Sequence, residues 1–198
     1  MFRRNALTLV STSRWDDPFE NQILDTFTEL SDVLERRRSL VGQCWSMTPE
    51  SDAMWRIYAP AKNGVRITST PRRLIEHASK LNDGPGTLAI IKVSYLERGK
   101  ARSQIHRHLR EATADQHILV SASIKRQEFE HENEVRLLYL PSRIAHDQIV
   151  HLKTREYQVC LDLLFDPRMT DDEFFLYERF FHRRNFSGAL KRSKLYSL

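Results

Sequence analysis

The sequence has few of the residues that build common ligand-holding motifs. Among its 198 residues are six glycines and two cysteines. No G-x-G-x-x-G, G-x-x-x-x-G-K-[ST] or G-x-S-x-G occurs, so no glycine-rich phosphate cradle and no nucleophile elbow is available. Cys44 and Cys160 lie far apart, which excludes a disulfide framework and leaves structural zinc without its ligands. His106, His108 and His117 do not fall at the i, i+4 spacing that would put two imidazoles on one helix face. No apolar run approaches the roughly 20 residues of a membrane-spanning helix. The opening Met1-Phe2-Arg3-Arg4-Asn5 is followed by no apolar stretch of the roughly 7–15 residues that a secretory signal carries. The expectation is a reducing, cytoplasmic setting with no membrane and no metal.

What is present suffices for a folded core. Hydrophobic residues make up 40% of the chain, with ten Phe, six Tyr and three Trp, and the length predicts a single domain over residues 1–198. The net charge is +5, and 23 of the 31 basic residues are Arg. The excess lies in residues 1–110, with 18 basic and 12 acidic residues, against 13 and 14 in residues 111–198. Guanidinium groups grip phosphate in a fork, so the basic half leans toward a nucleic acid, a nucleotide or an anionic cofactor.

The pattern of the chain predicts an α+β fold, a mixed or antiparallel sheet flanked by helices. Phe19, Ile23, Leu24, Phe27, Leu30, Val33 and Leu34 keep a 3-and-4 spacing for a first helix from Asp17 or Pro18 to Arg38. A short helix at 51–58, a strand at 64–69, a helix from Pro71 to Leu81 and a strand at 87–95 follow. A turn cluster, Asn82-Asp83-Gly84-Pro85-Gly86, separates the last two. Residues 98–116 read as a basic helix, 118–124, 134–140, 148–151 and 158–165 as strands, and 170–184 as a closing helix. Thr170 and Glu173 form a capping box at the start of that helix. Strands and helices alternate without a regular βαβ period, which argues against a doubly wound sheet.

Four segments are denser than a plain core requires. Arg14-Trp15-Asp16-Asp17-Pro18-Phe19-Glu20 reads as a helix start, which accounts for the acids and Pro18 but less well for Trp15 and Glu20. Gln43-Cys44-Trp45-Ser46-Met47 and Met54-Trp55-Arg56-Ile57-Tyr58-Ala59 form an aromatic cluster, either core or a platform for a nucleobase or nicotinamide ring. Cys44 reads as a buried, inert thiol. In Phe129-Glu130-His131-Glu132-Asn133-Glu134-Val135-Arg136, a strand beginning near Glu132 puts Glu132, Glu134 and Arg136 on one face. That face is either a solvated, charge-balanced edge or a carboxylate tuned by its neighbours to polarise a sugar hydroxyl. The fourth segment, Arg98–Arg110, is either a solvated helix face or a phosphate-tracking patch.

Taken in order, Leu9-Val10-Ser11 with Trp15-Asp16-Asp17-Pro18-Phe19-Glu20, then Cys44-Trp45-Ser46, Met54-Trp55-x-x-Tyr58-Ala59, Gly64-Val65-x-Ile67 and Phe129 with Glu132, Glu134 and Arg136, resemble a bacterial family catalogued as domain of unknown function 2971. The similarity covers about residues 9–140, and the pattern of Leu161–Ser197 is also similar. A more distant resemblance is to the ADP-ribosyltransferase fold, which uses an Arg or His, then a Ser or Tyr, then a Glu, often within E-x-E. By order, it implies Ser46 in the middle position, Glu134 as the catalytic carboxylate and Glu132 as the target-side carboxylate. Arg14, Trp45, Trp55, Tyr58 and Arg136 would be the cofactor-binding residues, with NAD as cofactor. Glu134 would hydrogen-bond the nicotinamide ribose while aromatic rings sandwich the nicotinamide. The family's first Arg/His-bearing strand has no clear counterpart, and Arg3, Arg4 and Arg14 are the candidates for its role. The resemblance implies an NAD-using effector or toxin, such as those of antiviral defence. It would act on nucleic acid or protein, with an antitoxin or other protein partner. The competing expectations are a non-catalytic nucleic-acid- or partner-binding module and a metal-dependent nuclease using Glu132 and Glu134.

Overall fold

The computed structural model describes residues 6–15, 17, 20, 31–80, 85–97, 113–144, 149–153 and 159–197. The basic segment 98–110, and the part of the first helix between residues 21 and 30, lie outside the described residues. The chain divides into two compact units. One comprises Met1–Ala6, Pro49–His77 and Lys153–Leu198, and the other Leu7–Thr48 and Ala78–Leu152.

The larger unit is built on a five-stranded sheet in the order β4-β7-β2-β1-β8, with β1 Ala6–Ser11, β2 Val41–Ser46, β4 Gly86–Lys92, β7 Glu134–Pro141 and β8 Ile149–Lys153. β7 lies antiparallel between β2 and β4, so Arg136 stands opposite Cys44 on one side and Ile91 on the other. Such a strand is covered on both faces, and β7 is buried from Glu134 to Leu140. Leu138 and Leu140 pack on Val33 and Leu40, at and beyond helix α1 (Ser31–Arg37), and on Ile118, Leu119 and Ala122, at and beyond helix α4 (Ala114–Ser121). Side chains alternate along a strand, so Arg136 and Glu134 continue the row of Leu140 and Leu138. The site therefore forms the polar end of this hydrophobic layer.

Residues 118–124, expected as a strand, are mostly helix. Thr113 caps α4 by accepting from the Gln116 N–H, while the Gln116 side chain accepts from the Thr113 N–H. This reciprocal cap outweighs the β-propensity of the Ile118-Leu119-Val120 run. Only Ile124–Arg126 remains extended, as β6, paired in parallel with β5 (Ser94–Leu96) so that Tyr95 faces Lys125. The expected strand at 87–95 breaks at Val93 into β4 and β5.

The smaller unit holds a three-stranded sheet, β10-β9-β3, of Ala189–Arg192, Asp162–Phe165 and Val65–Thr68. Helix α2 is Asp52–Tyr58. Helix α3 is Pro71–Lys80, and the boundary between the units falls within it. Helix α5, Asp171–His182, carries the expected Thr170–Glu173 capping box. Phe165 of β9 meets Phe174, Tyr177 and Phe181 of α5 at ring-centroid distances of 5.2, 5.7 and 6.2 Å. Asp166, fully buried, pairs with Arg168, whose guanidinium also donates to the Trp55 and Ala59 carbonyls at the end of α2. The helices and antiparallel-dominated sheets make this an α+β fold, as expected. No helix among the described residues is long and apolar enough to cross a membrane.

Candidate functional site

The polar end of the larger unit is a buried ionic cluster organised by Arg136, which is 1% exposed. Its Nε and Nη2 each donate at 3.0 Å to the two oxygens of Glu134, a bidentate fork. Nη1 donates to the Ala122 carbonyl at 2.6 Å, so the guanidinium also caps the C-terminus of α4, where a cation is favoured. Nη2 reaches Glu20 Oε1 at 3.0 Å, and the guanidinium lies 4.1 Å from the Trp15 ring centre. Trp15 and Glu20, which a helix start explains poorly, are thus the partners of this arginine.

Lys125 of β6 forms the second node. Its Nζ lies 2.5 Å from Glu132, 3.4 Å from Glu134 and 3.5 Å from Glu20. It also sits 4.7 Å from the Phe129 ring centre, and Arg126 lies 5.2 Å from the same ring. Arg126 in turn grips Asp17 at 3.0 Å. Tyr95 Oη accepts the Glu134 N–H at 2.8 Å, and the Glu134 carbonyl accepts from the Val93 N–H at 2.9 Å, just past the end of β4.

Glu132 arrives by a different route from the one expected. β7 begins only at Glu134, residues Gln127–Glu132 form a 3-10 helix, and Asn133 takes a left-handed conformation with φ 42° and ψ 60°. Asparagine is among the few side chains that tolerate this region. The solvated-edge reading does not hold, because Glu132, Glu134 and Arg136 are all buried.

The carboxylates do not share one electrostatic environment. Three carboxylates face two cations, leaving one formal negative charge in a dry place. Burial pushes the Glu20 carboxyl above its ordinary value of 4.5, and its contacts with Arg136 and Lys125 do not offset this. Glu20 Oε2 is buried and has no hydrogen-bond partner among the described residues, although Arg136 Nη2 lies 2.9 Å away out of hydrogen-bond alignment. Burial acts on Glu134 in the same sense, but the Arg136 fork wins and holds it below 4.5. For Lys125 burial opposes the charge, and the surrounding carboxylates outweigh it.

Of the expected site residues, the structure brings Glu132, Glu134 and Arg136 together and sets Ser46 beside them. Ser46 is the register partner of Glu134, and its hydroxyl donates to the Glu132 carbonyl at 2.6 Å. Trp45 is partly buried and donates to its neighbour Gln43 at 3.1 Å. Arg14 is exposed. Trp55 and Tyr58 belong to the other unit, where Trp55 is buried and donates to Glu50, and Tyr58 is exposed. Cys44 is exposed rather than buried. Desolvation by its crowded surroundings and the adjacent Glu134 carboxylate push its thiol well up, which suits an inert thiol and not a nucleophile. Lys125 and Tyr95 were not legible as site residues, since neither sits in a distinctive motif. Among the described residues, no group of three or more His, Cys, Asp or Glu side chains is disposed to hold a metal ion.

No curated protein and no solved structure matches the chain. A family model does match, over residues 54–137, a span that includes Met54-Trp55-x-x-Tyr58-Ala59 and the Glu132, Glu134 and Arg136 run but not Trp15, Glu20 or Ser46. Over that span, which is less than half of the chain, the sequence is similar to the family described as protein of unknown function, DUF2971.

Proposed function

We propose that this protein is an ADP-ribosyltransferase-like enzyme that uses NAD, with its site in the larger unit at the start of β7. The observation that carries the proposal is the pairing of Ser46 with Glu134 on adjacent strands, with Glu132 two residues away and bonded to the same serine through its carbonyl. The residues fit such a ligand chemically. The site holds an excess negative charge and a carboxylate oxygen without a hydrogen-bond partner among the described residues, which suits a hydroxyl donor attached to a cationic group. When bound, NAD would supply a cationic nicotinamide on a ribose whose glycosidic carbon gains positive charge as that bond breaks.

The chain's own groups have defined tasks in this reading. Glu134, fixed by the Arg136 fork, holds a preorganised negative charge that need not reorient during reaction. Glu132, tethered to Lys125, is the second carboxylate and faces the acceptor. Ser46 supplies a hydroxyl at the exposed end of β2. The arginine-rich first half of the sequence favours nucleic acid as the acceptor.

A second reading, a nucleic-acid- or partner-binding module without catalysis, is favoured by one fact. Both Glu134 oxygens are already held by Arg136, as in a purely structural lock. Calorimetric titration of NAD separates the two readings. The enzyme predicts saturable binding, with nicotinamide released when RNA, DNA or a bacterial lysate is added. Ser46→Ala and Glu132→Gln should each lower that release at least tenfold per folded molecule, the folded fraction being read by thermal melting because Glu132 is also the buried partner of Lys125. Absence of binding at millimolar NAD would leave the module, to be probed with RNA and DNA at several salt concentrations.

A further inference from the structure

We infer that helix α5 carries a self-complementary face through which two copies of this chain pair antiparallel. Asp172, Phe175, Leu176 and Arg179 are all exposed and, at 100° per residue, fall in one stripe of the helix. Phe175 is 56% and Leu176 66% exposed, side by side at the middle of the stripe. The opposite face is the one that builds the core of the smaller unit, through Phe174, Tyr177 and Phe181 against Phe165. The two apolar residues are therefore surplus to the fold.

The charges around them choose the occupant. Asp172 stands three residues before Phe175, and Arg179 three residues after Leu176. The order along the stripe is acid, apolar, apolar, base, and it maps onto its own complement when reversed. A two-fold axis between Phe175 and Leu176 sets Asp172 of one copy against Arg179 of the other, twice. It also sets Phe175 of one copy beside Phe175 of the other, and Leu176 beside Leu176, on the two flanks of the seam. Neither Asp172 nor Arg179 has an ion-pair partner among the described residues. By contrast Asp171, one residue earlier, is already taken by Arg192. An unrelated acidic or basic partner would satisfy only half of the stripe, whereas a second copy satisfies all of it.

One helix face is smaller than the roughly 800 Å² per partner of a standard stable interface, so the dimer is weak and concentration-dependent. Sedimentation velocity of the full chain, from micromolar to millimolar concentration, should show a reversible monomer–dimer equilibrium. Asp172→Arg and Arg179→Asp, each alone, place like charges opposite one another and should weaken it at least tenfold. The double variant restores the pairing with its polarity reversed and should recover wild-type association. Leu176→Asp should abolish it. All these positions are exposed, and circular dichroism and thermal melting verify that each variant folds. A chain that stays monomeric up to millimolar concentration overturns the inference. So does a dimer indifferent to the single reversals, or one that the double reversal fails to restore.

Discussion

Arg136 holds together groups that arrive from four directions: Glu20, Glu134, the Ala122 carbonyl and the Trp15 ring. Removing one member of a buried ion pair leaves the others charged and unpaired, so Arg136→Met should cost about 3–5 kcal/mol, read as a lowered urea midpoint. Glu20 behaves in the opposite sense. Its folded pKa lies above 4.5, so its contribution to stability is fully present below that value and is lost as pH rises through the folded pKa. Glu20→Gln resembles the protonated form, and it should flatten this decline while leaving stability at neutral pH equal or higher. A variant that instead unfolds more readily at pH 7 would show that Glu20 works as a charge. Glu134, held below 4.5, contributes stability that is present above its ordinary value and fails as pH falls through the folded pKa. The residue types of this site were partly legible in the sequence. Glu132, Glu134 and Arg136 stood out by period two, and Trp15 and Glu20 by resisting a simpler explanation. Lys125 did not, because its role comes from the parallel pairing of β5 with β6, a contact between two three-residue strands that no local pattern encodes.

The secondary-structure elements show where propensity decides and where it yields. The Thr170–Glu173 box fixed the start of α5 as the sequence implies. The same device at Thr113–Gln116 is obscured in the sequence by Ile118, Leu119 and Val120 behind it, which suggest a strand. Thr113→Ala should therefore cost about 1 kcal/mol in chemical denaturation, and Thr170→Ala a similar amount. The sequence pattern does not mark β1, β2 or β10 as strands. Each is short and finds its place through partners remote in sequence: β2 for β1, β7 for β2, and β9 for β10. At Gly188, before β10, an added Cβ would come within 2.0 Å of the Leu161 carbonyl oxygen and 2.6 Å of the Phe186 ring. Backbone and ring would both have to move, so Gly188→Ala should destabilise by about 1–3 kcal/mol, measurable as a lowered melting temperature. Unchanged stability would mean that the β10 register adjusts freely.

At the scale of the whole molecule, the smaller unit is assembled from three separate stretches of chain and the larger from two. The central strand of the smaller unit's sheet, β9, pairs with β3 from nearly a hundred residues earlier. A chain cut after Leu152 lacks β9, β10 and α5, and Trp55, 6% exposed in the intact unit, should lose its burial. Indole NMR would detect this as loss of dispersion from that tryptophan alone, while the Trp15 resonance in the larger unit persists. The same threading sets an order of events during synthesis. β2 can pair with β1 as soon as it emerges, but its other neighbour, β7, follows about ninety residues later, roughly 5–20 s at ribosomal elongation rates. Through that interval one side of β2 stands open on a nascent chain, as does β3 until β9 appears. Contacts this remote slow folding and expose unpaired strand edges. Recombinant yield should therefore respond to growth temperature and to translation speed across residues 46–134 more than to changes in the final stability of the protein.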